Sequence, residues 1–387
     1  MPTLAERRAN YDKVSEKIKE LGQEGLKEKL AAAEAEAAEK VHKNSFGGTA
    51  FKLDLDGVPV FAKRIALTDL EAKNQGSTRN LYELPVHYQY GFGSAGFNAW
   101  REVEAHKMTT EWVRNGECPN FPLMYDSIIV DREPQEMLQW LPAFLKDRWN
   151  AEEETPIFQR AYDQSHASKS VVVLLESVPQ NLSQYLDPQA SGREGSSTPS
   201  TPNMEAVIQE LKSTCDFMAS KGMIHFDAHS GNILVDKDGH LLLTDFGLAT
   251  SRDFDLSEAE SKFFDQHQGY DHSESLWGLW HEAKGTISKS EEKISALPEV
   301  VTAVEPYQKV GERFNQFVEE FKKNNTTTYP TEEMSGLLRD AESQKVGTLK
   351  AEASRQGVLD QLSNRKEGTW AEKIKAERAT KSSGHSL

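Results

Sequence analysis

The stretch Met223–Thr250, MIHFDAHSGNILVDKDGHLLLTDFGLAT, constrains the chain more than any other. Two short apolar runs, Ile233-Leu234-Val235 and Leu241-Leu242-Leu243, flank Asp236-Lys237-Asp238-Gly239, and the glycine supplies the positive φ that a tight hairpin turn needs. Asn232 stands at the entrance of this hairpin and Asp245 at its exit, so both side chains are expected at one edge of the sheet. Asp227 precedes Asn232 with four residues between. Oxygens of an Asn and an Asp that can hold Mg²⁺, with a separate Asp to accept a proton, form the set that phosphoryl transfer requires.

The two pieces, His225-Phe226-Asp227-Ala228-His229-Ser230-Gly231-Asn232 and Asp245-Phe246-Gly247, resemble the catalytic loop and metal segment of the protein kinase-like superfamily, H-x-D-x-x-x-x-N followed by D-F-G. The resemblance implies an α+β, two-lobed fold: a small β-rich lobe with one helix, and a larger helical lobe. It implies ATP and Mg²⁺ as cofactors, Asp227 as catalytic base, and Asn232 and Asp245 as metal ligands. It covers about Asn44 to Trp280. Expected domains are an N-terminal helical extension (1–43), the catalytic domain (44–285, divided near 176) and a helical C-terminal region (286–387).

Upstream, alternation in Thr49–Leu55 and Val58–Ile65 predicts two strands joined at Asp56-Gly57. Lys63 on the second resembles the strand lysine that meets the α and β phosphates. Gly47-Gly48, just before the first strand, resembles a shortened glycine-rich phosphate loop. In Asn98–Asn115 the periodicity is helical, and Glu104 is the expected partner of Lys63, with Glu102 in reserve, because Trp100 and Met108 flank Glu104 at i−4 and i+4. Leu174–Val178 resembles the hinge that meets the adenine edge, with Glu176 and Val178 as contacts. Gly91-Phe92-Gly93-Ser94-Ala95-Gly96 matches G-x-G-x-x-G literally, but no strand–turn–helix unit surrounds it, and it is read as a flexible loop with an accidental match.

The remainder is described by composition. The 387 residues contain 37% hydrophobic side chains and carry a net charge of −16, which argues against nucleic acid as a partner. No apolar run has the roughly 20 residues that would span a bilayer. With only Cys118 and Cys215, neither a disulfide framework nor a zinc site is expected, and a cytoplasmic location fits. Residues 1–43 read as a helix with a thin apolar stripe that lies on the small lobe or offers a partner surface. Residues 131–169 form a Trp-rich insertion, and 188–203 a Ser/Pro/Gly-rich loop in which Ser196–Thr201 is a candidate self-phosphorylation site.

Two branches of the superfamily share features with this chain. Asp245-Phe246-Gly247-Leu248-Ala249 resembles bacterial-type and other protein Ser/Thr kinases, whereas His229, two residues after the base, resembles aminoglycoside and choline phosphotransferases. His229 would meet the transferred phosphate or hydrogen-bond within its loop. The expected function is phosphotransfer from ATP to protein Ser/Thr hydroxyls, the chain's own included. The alternatives are a small-molecule alcohol as acceptor, or a nucleotide-binding scaffold without catalysis.

Overall fold

The structure, a computed structural model, describes residues 3–40, 49–186, 203–289 and 302–345. The chain divides into two compact units, Met1–Ser335 and Gly336–Leu387; of the second, residues 336–345 are described and are helical. Gly47, Gly48 and Ser196–Thr201 lie outside the described residues. Among the described residues no helix is long and apolar enough to cross a membrane.

The first unit has two lobes. The small lobe is built on a four-stranded antiparallel sheet of β1 (Thr49–Leu55), β2 (Val58–Leu67), β3 (Met124–Asp131) and β4 (Lys169–Glu176), in the order β1-β2-β4-β3. Asp56 and Gly57, with φ of 63° and 82°, close the β1–β2 hairpin in the left-handed conformation that its tight turn demands. Period-two alternation then sorts the side chains of β2. Val58, Val60 and Ala62 face one side, and Lys63, Ile65 and Leu67 face the other.

Each face of the sheet is covered by a helix. On the Lys63 side lies α3 (Ala99–Asn115), with Ala99, Trp100 and Val103 packed against Ile65, Leu67, Val171 and Val173. Asn98 caps its first turn by accepting from the Trp100 amide, and Gly116 ends it at φ 79°. The other face is covered by α1 (Leu4–Lys40), which is interrupted at Gly22, φ 63°. Val14 and Ile18 before the break, and Leu26 and Leu30 after it, are all buried on the sheet. The thin stripe of the sequence is therefore a packing face, and α1 is part of the lobe's core rather than a loosely solvated addition. Its first turns also reach the junction with the large lobe. There Arg7, 2% exposed, donates to both carboxylate oxygens of Glu176 and to the carbonyls of Pro119 and Phe121.

Between β3 and β4 the insertion folds as α4 (Leu141–Trp149) and α5 (Pro156–Ser165). A short helix α2 (Asp69–Lys73) and the segment 74–98 connect β2 to α3. The large lobe carries α6 (Leu182–Leu186), α7 (Met204–Ser220), α8 (Glu258–Asp265), α9 (Tyr270–Lys289) and α10 (Gln308–Lys323). It also carries a three-stranded sheet of β5 (Gln180–Asn181), β7 (Ile233–Val235) and β8 (Leu241–Leu243), while β6 (Met223–Ile224) pairs with β9 (Thr250–Ser251). The β7–β8 hairpin is in register Ile233↔Leu243 and Val235↔Leu241, with Gly239 at φ 90° in its turn.

Replacing Arg7 leaves the Glu176 carboxylate, 12% exposed, without its counter-ion. Arg7→Ala is expected to cost on the order of 3 kcal/mol in a denaturant titration, the scale for breaking a buried pair from one side. A loss below about 0.5 kcal/mol would mean the pair is no more than a surface contact.

Candidate active site

The β7–β8 hairpin puts Asn232 and Asp245 at its two open ends, and the 225–232 loop brings Asp227 back to Asn232. The Asn232 amide nitrogen donates to the Asp227 carbonyl (3.0 Å) and to its Oδ2 (2.9 Å). From the opposite lobe, Lys63 Nζ reaches Asp245 Oδ1 at 2.6 Å and Glu102 Oε1 at 2.7 Å. One ammonium thus joins β2, α3 and the segment after β8. Asp245 itself adopts the left-handed conformation, φ 65° and ψ 67°, which turns its carboxylate toward the cleft.

The partner of Lys63 is Glu102 and not Glu104. Glu104 instead pairs with Lys107 on the outer face of α3. Trp100 is buried as expected, yet the face of α3 turned to the cleft carries Glu102 and His106, one turn apart. Because that stripe includes His106, Thr109 and Thr110, all buried, its polarity conceals it from an apolar pattern.

Charge balance at this centre follows from burial opposed by pairing. Burial acts to lower the Lys63 pKa, but Asp245 and Glu102 outweigh it and hold the ammonium charged above its ordinary range. For Asp245 burial acts upward and Lys63 outweighs it, so this carboxylate stays ionised below its ordinary value. Burial pushes Glu102 up to about 7 in spite of Lys63. Asp227 is pushed up to about 7, first by burial and then by the negative charge of Asp245.

The loop is held from beneath by α9. Asp271 accepts the amides of His225 (2.8 Å) and Phe226 (2.9 Å), and Glu274 accepts that of Ala228 (2.6 Å). Sequence reasoning missed both carboxylates. The available signal was two acids at i,i+3 ahead of the buried Leu276 and Trp280 on one helix. Burial pushes Asp271 up to about 6 against the pull of those two amides. His225 accepts from the Asp227 amide at Nδ1 (3.2 Å), so its Nε2–H donates to the Thr244 carbonyl (2.9 Å). Phe226, at φ 63° and fully buried, sits among Tyr90, Phe263, His267 and Tyr270. His229 Nδ1 accepts from the Gly231 amide (3.0 Å), and its Nε2 lies 3.8 Å from Asp227 Oδ1.

A cavity of about 750 Å³ is lined by Lys63, Glu102, Asp227, His229, Asn232 and Asp245 together with Gly91, Gly93, Ser94, Ala95 and the insertion. Neither Glu176 nor Val178 lines it. The Glu176 amide is already engaged by the Leu123 carbonyl (2.8 Å), and its side chain by Arg7. The Gly91–Gly96 motif is not a free loop. An added Cβ on Gly91 would collide with Asp227 Oδ1, and one on Gly96 with the Gly247 carbonyl.

Among the described residues no group of three or more His, Cys, Asp or Glu side chains could hold a metal unaided. Asn232 and Asp245 nevertheless suit a hard cation. The Asn232 nitrogen is committed to Asp227, so its carbonyl oxygen is the end available as a ligand. One carboxylate and one amide oxygen are what Mg²⁺ takes from protein when phosphates and water complete its octahedron.

His106 bears a separate prediction. Both of its ring nitrogens are buried without a hydrogen-bond partner, and the ring meets Phe246 edge-on at 5.0 Å. Burial lowers its pKa to about 3, and Lys63, Asp245 and His225 are the charged or titratable groups acting on it. A histidine depressed in the folded state binds its proton only after unfolding, so its contribution to stability is present above about pH 6.5 and is lost as pH falls. His106→Leu should therefore lose less stability than the wild type between pH 7 and pH 5, by about 2 kcal/mol in paired denaturant titrations. Equal losses in the two proteins would contradict it.

The model of the family "Protein tyrosine and serine/threonine kinase" matches residues 156–265. The chain is 40% identical over 60 residues to the serine/threonine-protein kinase PKH3 of Saccharomyces cerevisiae, covering 16% of this chain and 7% of that protein. It is 35% identical over 69 residues to the serine/threonine-protein kinase Warts of Drosophila melanogaster, covering 18% and 6%. The chain thus spans less than a tenth of the length of these curated relatives. A solved structure of the yeast RNA Pol II CTD kinase CTDK-1 complex aligns at a TM-score of 0.29 and 14% identity, over 55% of this chain and 49% of that one. The matched segment contains the 225–232 loop, the β7–β8 hairpin and Asp245, the large-lobe part of the site, and over that segment the chain is similar to protein kinases.

Proposed function

We propose that the chain is an ATP- and Mg²⁺-dependent protein Ser/Thr kinase. The observation that carries this reading is Lys63 held between Glu102 and Asp245 at the edge of a cavity that also receives Asp227 and Asn232. A protein acceptor is favoured over a small-molecule alcohol because the similar curated proteins are protein Ser/Thr kinases. A non-catalytic scaffold would have no use for all four polar groups at one opening.

In this reading the Lys63 ammonium meets the phosphates and Glu102 keeps it aimed. Asn232 and Asp245 hold Mg²⁺, which supplies charge neutralisation on the phosphates when bound. Asp227 takes the proton of the acceptor hydroxyl as its oxygen bonds to the γ-phosphorus and ADP leaves with the electrons of the broken P–O bond. The His229 ring, anchored at Nδ1, keeps Nε2 on the Asp227 side, where a phosphate oxygen would come. Gly47 and Gly48 are proposed for the phosphate loop and Val178 for the adenine edge. The buried Cys118 and Cys215, both free thiols, accord with a cytoplasmic setting.

With labelled ATP, Mg²⁺ and a cell lysate, the purified chain should label itself or a few proteins on Ser or Thr. Asp227→Asn should abolish that label with nucleotide affinity retained, because the base acts on the acceptor. Undiminished labelling by this variant would remove Asp227 from the role. Lys63→Ala should slow transfer by at least about a hundredfold, the scale of a positioned charge at a reacting phosphate. Glu102→Ala should act partly through the same contact, so the double variant should lose less than the sum of the two single losses in free energy. Strict additivity would separate the two residues.

A further inference from the structure

We propose that Tyr90–Gly96, clamped by the inserted helices α4 and α5, is the acceptor-side wall of the site, and that Gly91 decides which acceptors reach Asp227. The inference rests on the phosphotransferase reading above and adds to it where acceptor selection resides.

The two oxygens of Asp227 differ. Oδ2 accepts from Asn232 Nδ2, which leaves Oδ1 as the oxygen for an incoming hydroxyl. Oδ1 faces Gly91. A Cβ there would overlap Oδ1 and stand 3.1 Å from the Phe226 carbonyl, so only glycine lets the backbone pass this close to the base. The same strap touches the metal segment. Gly96 abuts the Gly247 carbonyl, and the Gln89 side-chain amide donates to the Leu248 carbonyl.

The strap is fixed at several points, which a mobile connection would not be. The Phe144 ring occupies the space that a side chain at Gly93 would need. The Trp149 indole donates to the Gly93 carbonyl (3.4 Å) and packs edge-on against Tyr88 at 4.7 Å. Arg160 of α5 donates to the Ala95 carbonyl (3.1 Å), and the Ala95 amide donates to the Tyr88 hydroxyl (3.1 Å). In the large lobe, Tyr90 Oη meets His267 Nε2 at 2.6 Å. The insertion between β3 and β4 is thus the support of the strap. Leu141 and Leu145 of α4 also line the cavity that opens onto Asp227.

Such a wall narrows the approach of acceptor and water alike to Oδ1 on its side of the cavity. Water is the competing acceptor: its oxygen would take the phosphoryl group, its proton would pass to Asp227, and ADP and inorganic phosphate would leave. The wall therefore sets the partition between transfer and hydrolysis.

The test uses the full chain with labelled Mg·ATP and a degenerate Ser/Thr peptide library. It reads phosphopeptide, inorganic phosphate and Mg·ATP affinity for the wild type, Gly91→Ala and Phe144→Ala. Gly91→Ala should cut peptide transfer at least about tenfold, since small misplacements at the reacting atoms are that costly, while Mg·ATP affinity stays within about twofold. Phe144→Ala loosens the strap without touching the base, and should raise the ratio of hydrolysis to transfer about tenfold. Transfer by Gly91→Ala at the wild-type rate, or an unchanged ratio in Phe144→Ala, would overturn the proposal. Should Gly91→Ala not fold, the ratio in Phe144→Ala decides alone. A wild type that neither transfers nor hydrolyses would instead defeat the phosphotransferase reading, and the wall with it.

Discussion

One ammonium group between two carboxylates holds the site together. Lys63 leaves water for a position where 11% of its side chain stays exposed, a transfer that costs several kcal/mol unless opposite charge is near. Glu102 and Asp245 supply that charge from different lobes, so the cation cannot be satisfied unless β2, α3 and the turn after β8 come together. The pairing is uneven. Asp245, 40% exposed toward the cavity, stays fully ionised, whereas the enclosed Glu102 holds its charge less firmly. In the proposed kinase reading, a cation arriving with nucleotide would compete for Asp245 and leave Glu102 as the sole protein anion on Lys63.

The rest of the molecule makes that meeting unavoidable. A second buried pair, Arg101 with Glu260 at 2.6 Å, ties α3 to α8, and Arg101 lies over the rings of Phe97 and Phe254. Glu71 and Arg160, both fully buried or nearly so, join α2 to α5, and Glu71 also accepts the first amide of α3. Within the large lobe α9 grips three amides of the 225–232 loop, while Lys63–Asp245 and Arg101–Glu260 carry charge across from one lobe to the other. Such pairs contribute little net stability, but breaking one leaves a buried ion, so they penalise alternative arrangements strongly.

Local rules account for what was legible. Both hairpins and the strand position of Lys63 follow from turn glycines and period-two alternation, and the motif spacing located Asp227, Asn232 and Asp245. What escaped depends on which surfaces meet. The phase of α3 was misjudged because its cleft-facing stripe holds His106, Thr109 and Thr110 in place of aliphatic residues. The face of α1 looked thin because Gly22 resets the helical phase, so that Val14–Ile18 and Leu26–Leu30 form two short stripes instead of one long one. The glycines at 91 and 96 carry their meaning only through Asp227 and Gly247, some 140 residues away. Asp271 and Glu274 look like ordinary helix-surface acids until the loop above them is in place.

The double covering of the small-lobe sheet changes where the boundaries of this domain should be drawn. The motifs begin at about Asn44, and a fragment cut there would keep every residue of the site. It would also expose Phe51, Leu53, Val60 and Tyr125, which now lie beneath α1, as a contiguous apolar face. An uncovered sheet face of that kind recruits other chains, so such a fragment would come out of the cell as aggregate. The autonomous folding unit is thus longer than the stretch that resembles the protein kinase-like superfamily, and the extra forty residues are as integral to it as any strand.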